Sequence, residues 1–174
     1  VGTLVICLIP RYEMAVVQLL FVCMGNICRS PAAEAVMRHE VEKAGLEALI
    51  NVDSAGTIGF HAGESPDRRM QQAARKRGYV LESRARQVER MDLERFDWVI
   101  VMDEDNYQQV RGLVPGENLP ARLHRFCEFC QTRSESSVPD PYYGSEDGFN
   151  LVLDILEDGC QGLLAAIKRE HRIE

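Results

Sequence analysis

Gln18 to Cys23 (QLLFVC) is a nearly unbroken apolar run that stops at Gly25-Asn26, the pattern of a strand buried on both faces of a parallel sheet and leading into a loop. The period then changes. Ser30-Pro31 has the form of an N-cap followed by proline at the first helical position, and Ala32, Ala33, Ala35, Val36, Met37 and Val41 recur at helical spacing as far as Gly45. Leu49 to Val52 predicts a second, short strand, and Pro66 to Arg77, stopped by Gly78, a second helix. Phe96 to Met102 (FDWVIVM) predicts a third strand, with Asp103 placed to cap a helix that runs through Val110. A fourth strand is expected within Leu119 to Phe126. Glu146 to Lys168 carries Phe149, Val152, Leu153, Leu156, Cys160, Leu163, Leu164 and Ile167 on one stripe and predicts a long amphipathic closing helix. Strands alternating with helices imply an α/β fold, a parallel sheet covered on both faces. Ligands of such folds bind at the carboxyl ends of the strands, where the loop after Cys23 is expected to lie.

Composition narrows this picture. With 174 residues, 45 % hydrophobic and 27 % charged, and only 13 Gly and 7 Pro, the chain has the size and balance of one soluble globular domain. Thr3 to Ile9 is apolar but too short to span a membrane and has no cleavage signal after it, so residues 1–13 are read as a non-native or disordered N-terminal extension ahead of a start at Met14. Residues 14–174 are then the single domain. A net charge of −7 argues against holding nucleic acid or an anionic membrane by bulk charge, so any anionic ligand must be bound locally. Six cysteines, unevenly placed, do not make a secreted disulfide framework and favour a reducing cytoplasm.

The spacing of a cysteine six residues before an arginine occurs twice, at Cys23–Arg29 and at Cys127–Arg133. A loop that binds a phosphate dianion must turn successive N–H groups inward and place a helix start beneath the anion. Gly25 and Asn26 supply the first requirement and Ser30-Pro31 the second. The second match has neither Gly nor Asn, contains Glu128, and runs into the polar Ser134-Glu135-Ser136-Ser137, which marks it as a chance match. In the first loop the same N–H groups would favour a thiolate on Cys23 as nucleophile. Arg29 would clamp two phosphate oxygens, and Ser30 would donate to the sulfur and improve it as a leaving group. Asp140, between Pro139 and Pro141, reads from the residues alone either as an ordinary Asp-Pro turn or as a stiffly held carboxyl able to serve as general acid and then base. Asp103 is the competing carboxylate, read instead as an N-cap.

At these residues the chain resembles the low-molecular-weight protein tyrosine phosphatases. Val22-Cys23-Met24-Gly25-Asn26-Ile27-Cys28-Arg29-Ser30-Pro31 is similar to that family's phosphate-binding loop, and Asp140-Pro141-Tyr142-Tyr143-Gly144 to its general-acid loop. Asp53-Ser54-Ala55-Gly56-Thr57 and Val101-Met102-Asp103-Glu104 extend the likeness over roughly residues 18–170. The resemblance implies a three-layer α/β/α fold, a four-stranded parallel sheet of flavodoxin-like order 2-1-3-4, with no metal and no cofactor. It implies hydrolysis of phosphotyrosine and small aryl phosphates through a phosphocysteine, releasing inorganic phosphate. Catalysis would fall to Cys23, Arg29 and Asp140, and substrate binding to Met24, Gly25, Asn26, Ile27, Cys28 and Ser30. Tyr142 and Tyr143 would form one wall of the cleft and Phe60 the opposite wall. Asn26 would hold a left-handed turn and bond to Ser54 and Ser30 in support. Cys28 is either a buried thiol or a redox partner of Cys23. The implied partners are phosphotyrosine proteins, in bacteria including autophosphorylating tyrosine kinases.

Three rival functions share some of these features. A thioredoxin-coupled arsenate reductase of the same fold would need a relay pair of cysteines, for which Cys127 and Cys130 are the available residues, but would not need Asp140-Pro141-Tyr142-Tyr143. A protein arginine phosphatase resembles a version with Thr where this chain has Ile27. A non-catalytic phosphate-binding module would not require Cys23, Ser30 and Asp140 together.

Overall fold

The computed structural model describes residues 16–116, 118–119 and 121–174, so the extension expected over residues 1–13 lies outside the described residues. Strands β1 (Val17–Cys23), β2 (Ile50–Gly56), β3 (Trp98–Val101) and β4 (Arg122–Arg125) form one parallel sheet in the order β2-β1-β3-β4, the order the resemblance implied. Helices α1 (Arg29–Lys43), α2 (Arg68–Lys76), α3 (Asp92–Arg95), α4 (Glu104–Gly112) and α5 (Glu146–His171) cover its faces. The alternation of β1 divides the core in two. Leu19, Phe21 and Cys23 pack with residues of α1, α2 and α5, while Leu20 and Val22 pack with Leu93 of α3 and Val110 of α4. The stripe read on the closing helix, from Phe149 to Ile167, is buried throughout.

Several boundaries differ from the sequence expectation, each for a local reason. Strand β2 continues through the polar Asp53-Ser54 to Gly56 because it pairs with β1 as far as Cys23↔Gly56. Strand β3 starts at Trp98, two residues later than expected, because the Asp97 carboxylate instead accepts from the Gln18 N–H at 2.8 Å. Helix α2 starts after Asp67, whose side chain caps the Arg69 N–H at 2.8 Å. Helix α1 begins at Arg29, with Cys28 at its N-cap, so Ser30 is not the cap its position before Pro31 predicted. Its hydroxyl is engaged elsewhere, as described below. Helix α5 runs one turn further to His171, which accepts the Trp98 indole N–H at 2.9 Å. Helix α3 and a 3-10 helix over Phe126–Phe129 carried no signal that was read.

Candidate active site

The loop from Met24 to Cys28 joins the end of β1 to the start of α1 at the carboxyl edge of the sheet. Asn26 adopts φ of 55°, a left-handed conformation that Asn tolerates better than most residues. The carbonyls of Cys23, Met24 and Ile27 are turned outward and accept from the N–H groups of Thr57, Ile58 and Asp67 at 2.8, 3.1 and 2.8 Å. Among the described residues no acceptor takes the N–H groups of residues 24–28, so the loop is a ring of donors. Close approach from beneath is possible because β2 ends in Gly56, where a Cβ would lie 2.7 Å from the Met24 carbonyl oxygen.

Cys23 lies on the floor of the loop, 2 % exposed, with its Sγ 3.0 Å from the Ser30 hydroxyl. Ser30 is also 3.2 Å from the Ala55 carbonyl and accepts from the Asn26 amide at 2.9 Å. That amide donates to Ser54 as well, at 2.9 Å, and Ser54 donates to the carboxylate of Glu34 at 2.6 Å. Glu34 is 4 % exposed and is held by Arg38 at 2.7 Å. Burial pushes the Glu34 carboxyl above its usual range, against the opposing pull of Ser54 and Arg38. The side-chain polar groups of Asn26 and Ser30 are therefore consumed in this buried chain behind the nucleophile, while the Asn26 N–H remains among the loop's unpaired donors.

Arg29, 3 % exposed, reaches across the same edge. Its Nη1 donates to Asp103 at 2.5 Å and to the Val138 carbonyl at 3.1 Å, and its Nη2 to Asp140 at 3.3 Å. Burial works to lower its proton affinity, but Cys23 and the two carboxylates outweigh that and raise it. Asp103 also caps α4 through the Asn106 N–H at 2.8 Å. The capping role read from sequence is present, but the second oxygen's grip on Arg29 was missed.

The cleft above Cys23 has a volume of about 250 Å³, and Met24, Gly25, Ile27, Cys28, Phe60, Asp140, Tyr142 and Tyr143 all line it. Phe60 faces it from the loop after β2 and the two tyrosines from the loop before α5; Phe60 is 82 % and Tyr143 95 % exposed. Ile58 and His61 line it too and were not foreseen. His61 packs closely on the loop, since a Cβ at Gly25 would meet the imidazole at 3.1 Å. Cys28 is buried, and that burial, followed by the charges of Asp67, Cys23 and Asp140, pushes its thiol far above the usual range. Cys127 and Cys130 do not line this cleft. They pack beside α5, and burial raises both thiols, Cys127 to about 12. Among the described residues no cluster of three or more His, Cys, Asp or Glu side chains fits a metal ion, and no helix is long and apolar enough to cross a membrane.

Comparison with known proteins gives one consistent result. The family model described as low molecular weight phosphotyrosine protein phosphatase matches residues 18–173. A low molecular weight protein-tyrosine-phosphatase of Streptomyces coelicolor is 44 % identical over 152 residues, covering 86 % of this chain and 93 % of the relative. A crystal structure of a protein tyrosine phosphatase from Entamoeba histolytica superposes with a TM-score of 0.86 at 43 % identity, over 88 % of this chain and 98 % of that one. An arginine phosphatase from Drosophila shares the fold with a TM-score of 0.79 at 29 % identity, over 86 % and 97 % of the two chains.

Proposed function

The chain belongs to the low molecular weight phosphotyrosine protein phosphatase family, and on that premise we propose that it hydrolyses protein phosphotyrosine through a phosphocysteine on Cys23. The observation that carries this reading is the convergence of Cys23, a ring of loop N–H groups, Arg29 and Asp140 on one cleft. The phosphate dianion enters the ring and takes the Nε and Nη2 edge of Arg29, whose Nη1 is already fixed by Asp103 and the Val138 carbonyl. In doing so it displaces Asp140 from Nη2.

The Cys23 thiolate then attacks phosphorus, the aryl P–O bond breaks, and Asp140 protonates the departing phenolate. In the second half Asp140 takes a proton from water, the water oxygen attacks phosphorus, and the S–P bond breaks as Ser30 donates to the leaving sulfur. Inorganic phosphate is the product. Phe60 and the Tyr142-Tyr143 pair, whose rings stand edge to face at 4.9 Å, offer aromatic faces to the substrate ring. Cys28 is a redox guard in this reading: peroxide converts Cys23 to a sulfenic acid, which condenses with the Cys28 thiol to a disulfide and water.

The rival readings fare less well. An arsenate reductase relay needs cysteines that reach Cys23, and Cys127 and Cys130 face α5 instead. Ile27 gives the cleft an apolar side chain suited to an aromatic ester rather than a guanidinium. We read residues 14–174 as one cytoplasmic phosphatase domain acting on phosphotyrosine proteins, an autophosphorylating tyrosine kinase among them. The test is turnover of p-nitrophenyl phosphate in the presence of a chelator. The wild-type protein is expected to turn over, Cys23→Ser to lose kcat by at least about 10⁴-fold, and Asp140→Asn by about 10²- to 10³-fold. Undiminished turnover in Cys23→Ser would sink the mechanism.

A further inference from the structure

Helix α2 is cationic in a chain of net charge −7, and its charges fall on one face. Met70, Ala73 and Ala74 are its buried side, while Arg68, Gln71, Gln72, Arg75 and Lys76, spaced at three, four, seven and eight residues from the first, line a shallow open groove of about 680 Å³. Packing does not explain these cations, because the apolar side alone seats the helix. Nor does internal pairing. Arg38, Arg77, Arg86, Arg122, Arg125 and Arg133 each hold a carboxylate; among the described residues Arg68 and Arg75 hold none, a state they share with Arg84, Arg95, Arg111, Arg169 and Arg172, but these two stand together on one helix face, where Arg75 reaches the Gln71 amide oxygen at 3.4 Å. Lys76, on the same face, already draws in Glu146 from the start of α5 at 2.5 Å. The face therefore attracts carboxylates and has room for more.

Its position connects it to the cleft. The Asp67 N–H bonds the Ile27 carbonyl of the phosphate loop, Asp67 holds Arg69, and the Arg69 guanidinium lies 5.4 Å from the centroid of the Tyr142 ring. A chain leaving the cleft over Tyr142 meets α2 next. We propose that this face of α2 docks an acidic segment of the phosphoprotein substrate, flanking its phosphotyrosine, with Arg68 and Arg75 as the specificity residues. Seven residues of helix separate these two cations by roughly 10 Å along the axis. An extended peptide covers that in about three residues, so acidic side chains three apart match the pair. The two glutamines between them can bond to the peptide backbone.

The inference rests on the tyrosine phosphatase reading, and the experiment separates the two. Three phosphotyrosine peptides are compared, carrying glutamates three residues apart on the N-terminal side, on the C-terminal side, or glutamines at all these positions. p-Nitrophenyl phosphate serves as the substrate with no flanks. The wild-type protein is expected to favour one glutamate peptide over the glutamine peptide by about five- to tenfold in kcat/KM, mainly through KM, with the preference fading at high salt. Arg68→Glu/Arg75→Glu should erase or invert that preference while its turnover of p-nitrophenyl phosphate stays within twofold of wild type, which also reports an intact fold. The milder Arg68→Gln/Arg75→Gln should weaken it. Equal kcat/KM for all peptides in the wild type, or a preference that survives charge reversal, overturns the docking face. So does binding to vesicles of anionic lipid that requires these arginines when the peptides are not distinguished. Absence of p-nitrophenyl phosphate turnover in the wild type would instead remove the phosphatase reading itself.

Discussion

The loops at Cys23–Arg29 and Cys127–Arg133 have the same spacing and arrive at opposite ends. Both gather backbone N–H groups. In the first, the outward carbonyls and the left-handed Asn26 leave the donors of residues 24–28 facing an open cleft, with a buried arginine beside them. In the second, the N–H groups of Gln131, Thr132 and Arg133 all donate to the carboxylate of Asp158 on α5, at 2.9, 3.1 and 3.2 Å, and the Thr132 hydroxyl joins them at 2.9 Å. That ring already holds its anion, a side chain of the same molecule. Arg133 turns away to Glu135, two residues on, and burial raises the Cys127 thiol to about 12. A site therefore differs from a latch less in its residue types than in whether the chain supplies the counter-charge from within.

The largest expected effect breaks that comparison at its arginines. Arg29→Lys removes the planar fork while keeping the charge, and it loosens the hold on Asp103 and the Val138 carbonyl, so kcat/KM for p-nitrophenyl phosphate should fall by at least about 10³-fold. Arg133→Lys should stay within twofold, since the ion pair it makes among the described residues is local and partly open to solvent. Comparable losses from the two would mean that Cys127–Arg133 contributes to the chemistry.

A smaller effect, on stability rather than rate, belongs to the second loop. Asp158→Ala leaves three N–H groups of the 131–133 turn to water and should cost about 1–2 kcal/mol, or about 2–6 °C in Tm, with kcat unchanged. The pH dependence has a definite sign. Desolvation tends to raise the Asp158 carboxyl, but the donors from Thr132, Arg133 and Gln131 prevail and hold it below its usual 3.8. Its contribution is thus present above 3.8 and is lost as pH falls through the lower folded value, so the gap between wild type and Asp158→Asn should close in acid. A gap that widens below that pH would show that the carboxylate is not what the turn binds.

What was legible in the sequence was whatever repeats or whatever is contiguous. The apolar run before Cys23 and the stripe on α5 report their own burial, and the phosphate loop is one unbroken stretch whose Gly25, Asn26 and Arg29 each have a local reason to be there. The missed contacts are those made across the sheet. Arg29 meets Asp103 over a separation of 74 residues and Val138 over 109, and no local pattern encodes either contact. Asp103 looked complete as an N-cap because one oxygen suffices for that and the other was free for Arg29. Ser30 was read only in part. Next to Pro31 it has the form of a cap, which it does not make, and of the groups that take its hydroxyl Cys23 and Asn26 were expected while the Ala55 carbonyl, brought close by β1 and β2, was not. Glu34 did carry a signal: a carboxylate four residues after Ser30, between alanines on the face that α1 buries. A charge there has to be partnered or pay in proton affinity, and Glu34 does both.

Glu34 also supplies the finest test of how the first loop is held. Burial raises its carboxyl above the usual 4.5, so whatever it adds to stability is fully present below 4.5 and is lost as pH rises through the raised folded value. Glu34→Gln removes the ionisation but keeps an oxygen for the Ser54 hydroxyl, and the Arg38 pair it forfeits is half-exposed and of small worth. Relative to wild type, the variant should therefore gain stability between pH 4.5 and pH 7, by about 1 kcal/mol at most, read as a difference in Tm at the two pH values. Its kcat should stay within about threefold, because Asn26 keeps its bonds to Ser30, Ser54 and the Arg86 N–H without needing a charge behind them. A tenfold loss of kcat with Tm unchanged would place the Glu34 charge itself in the support of Cys23. The buried chain from Glu34 to Ser30 would then hold the nucleophile by its field as well as by its geometry, as Asp158 holds the turn at 131–133.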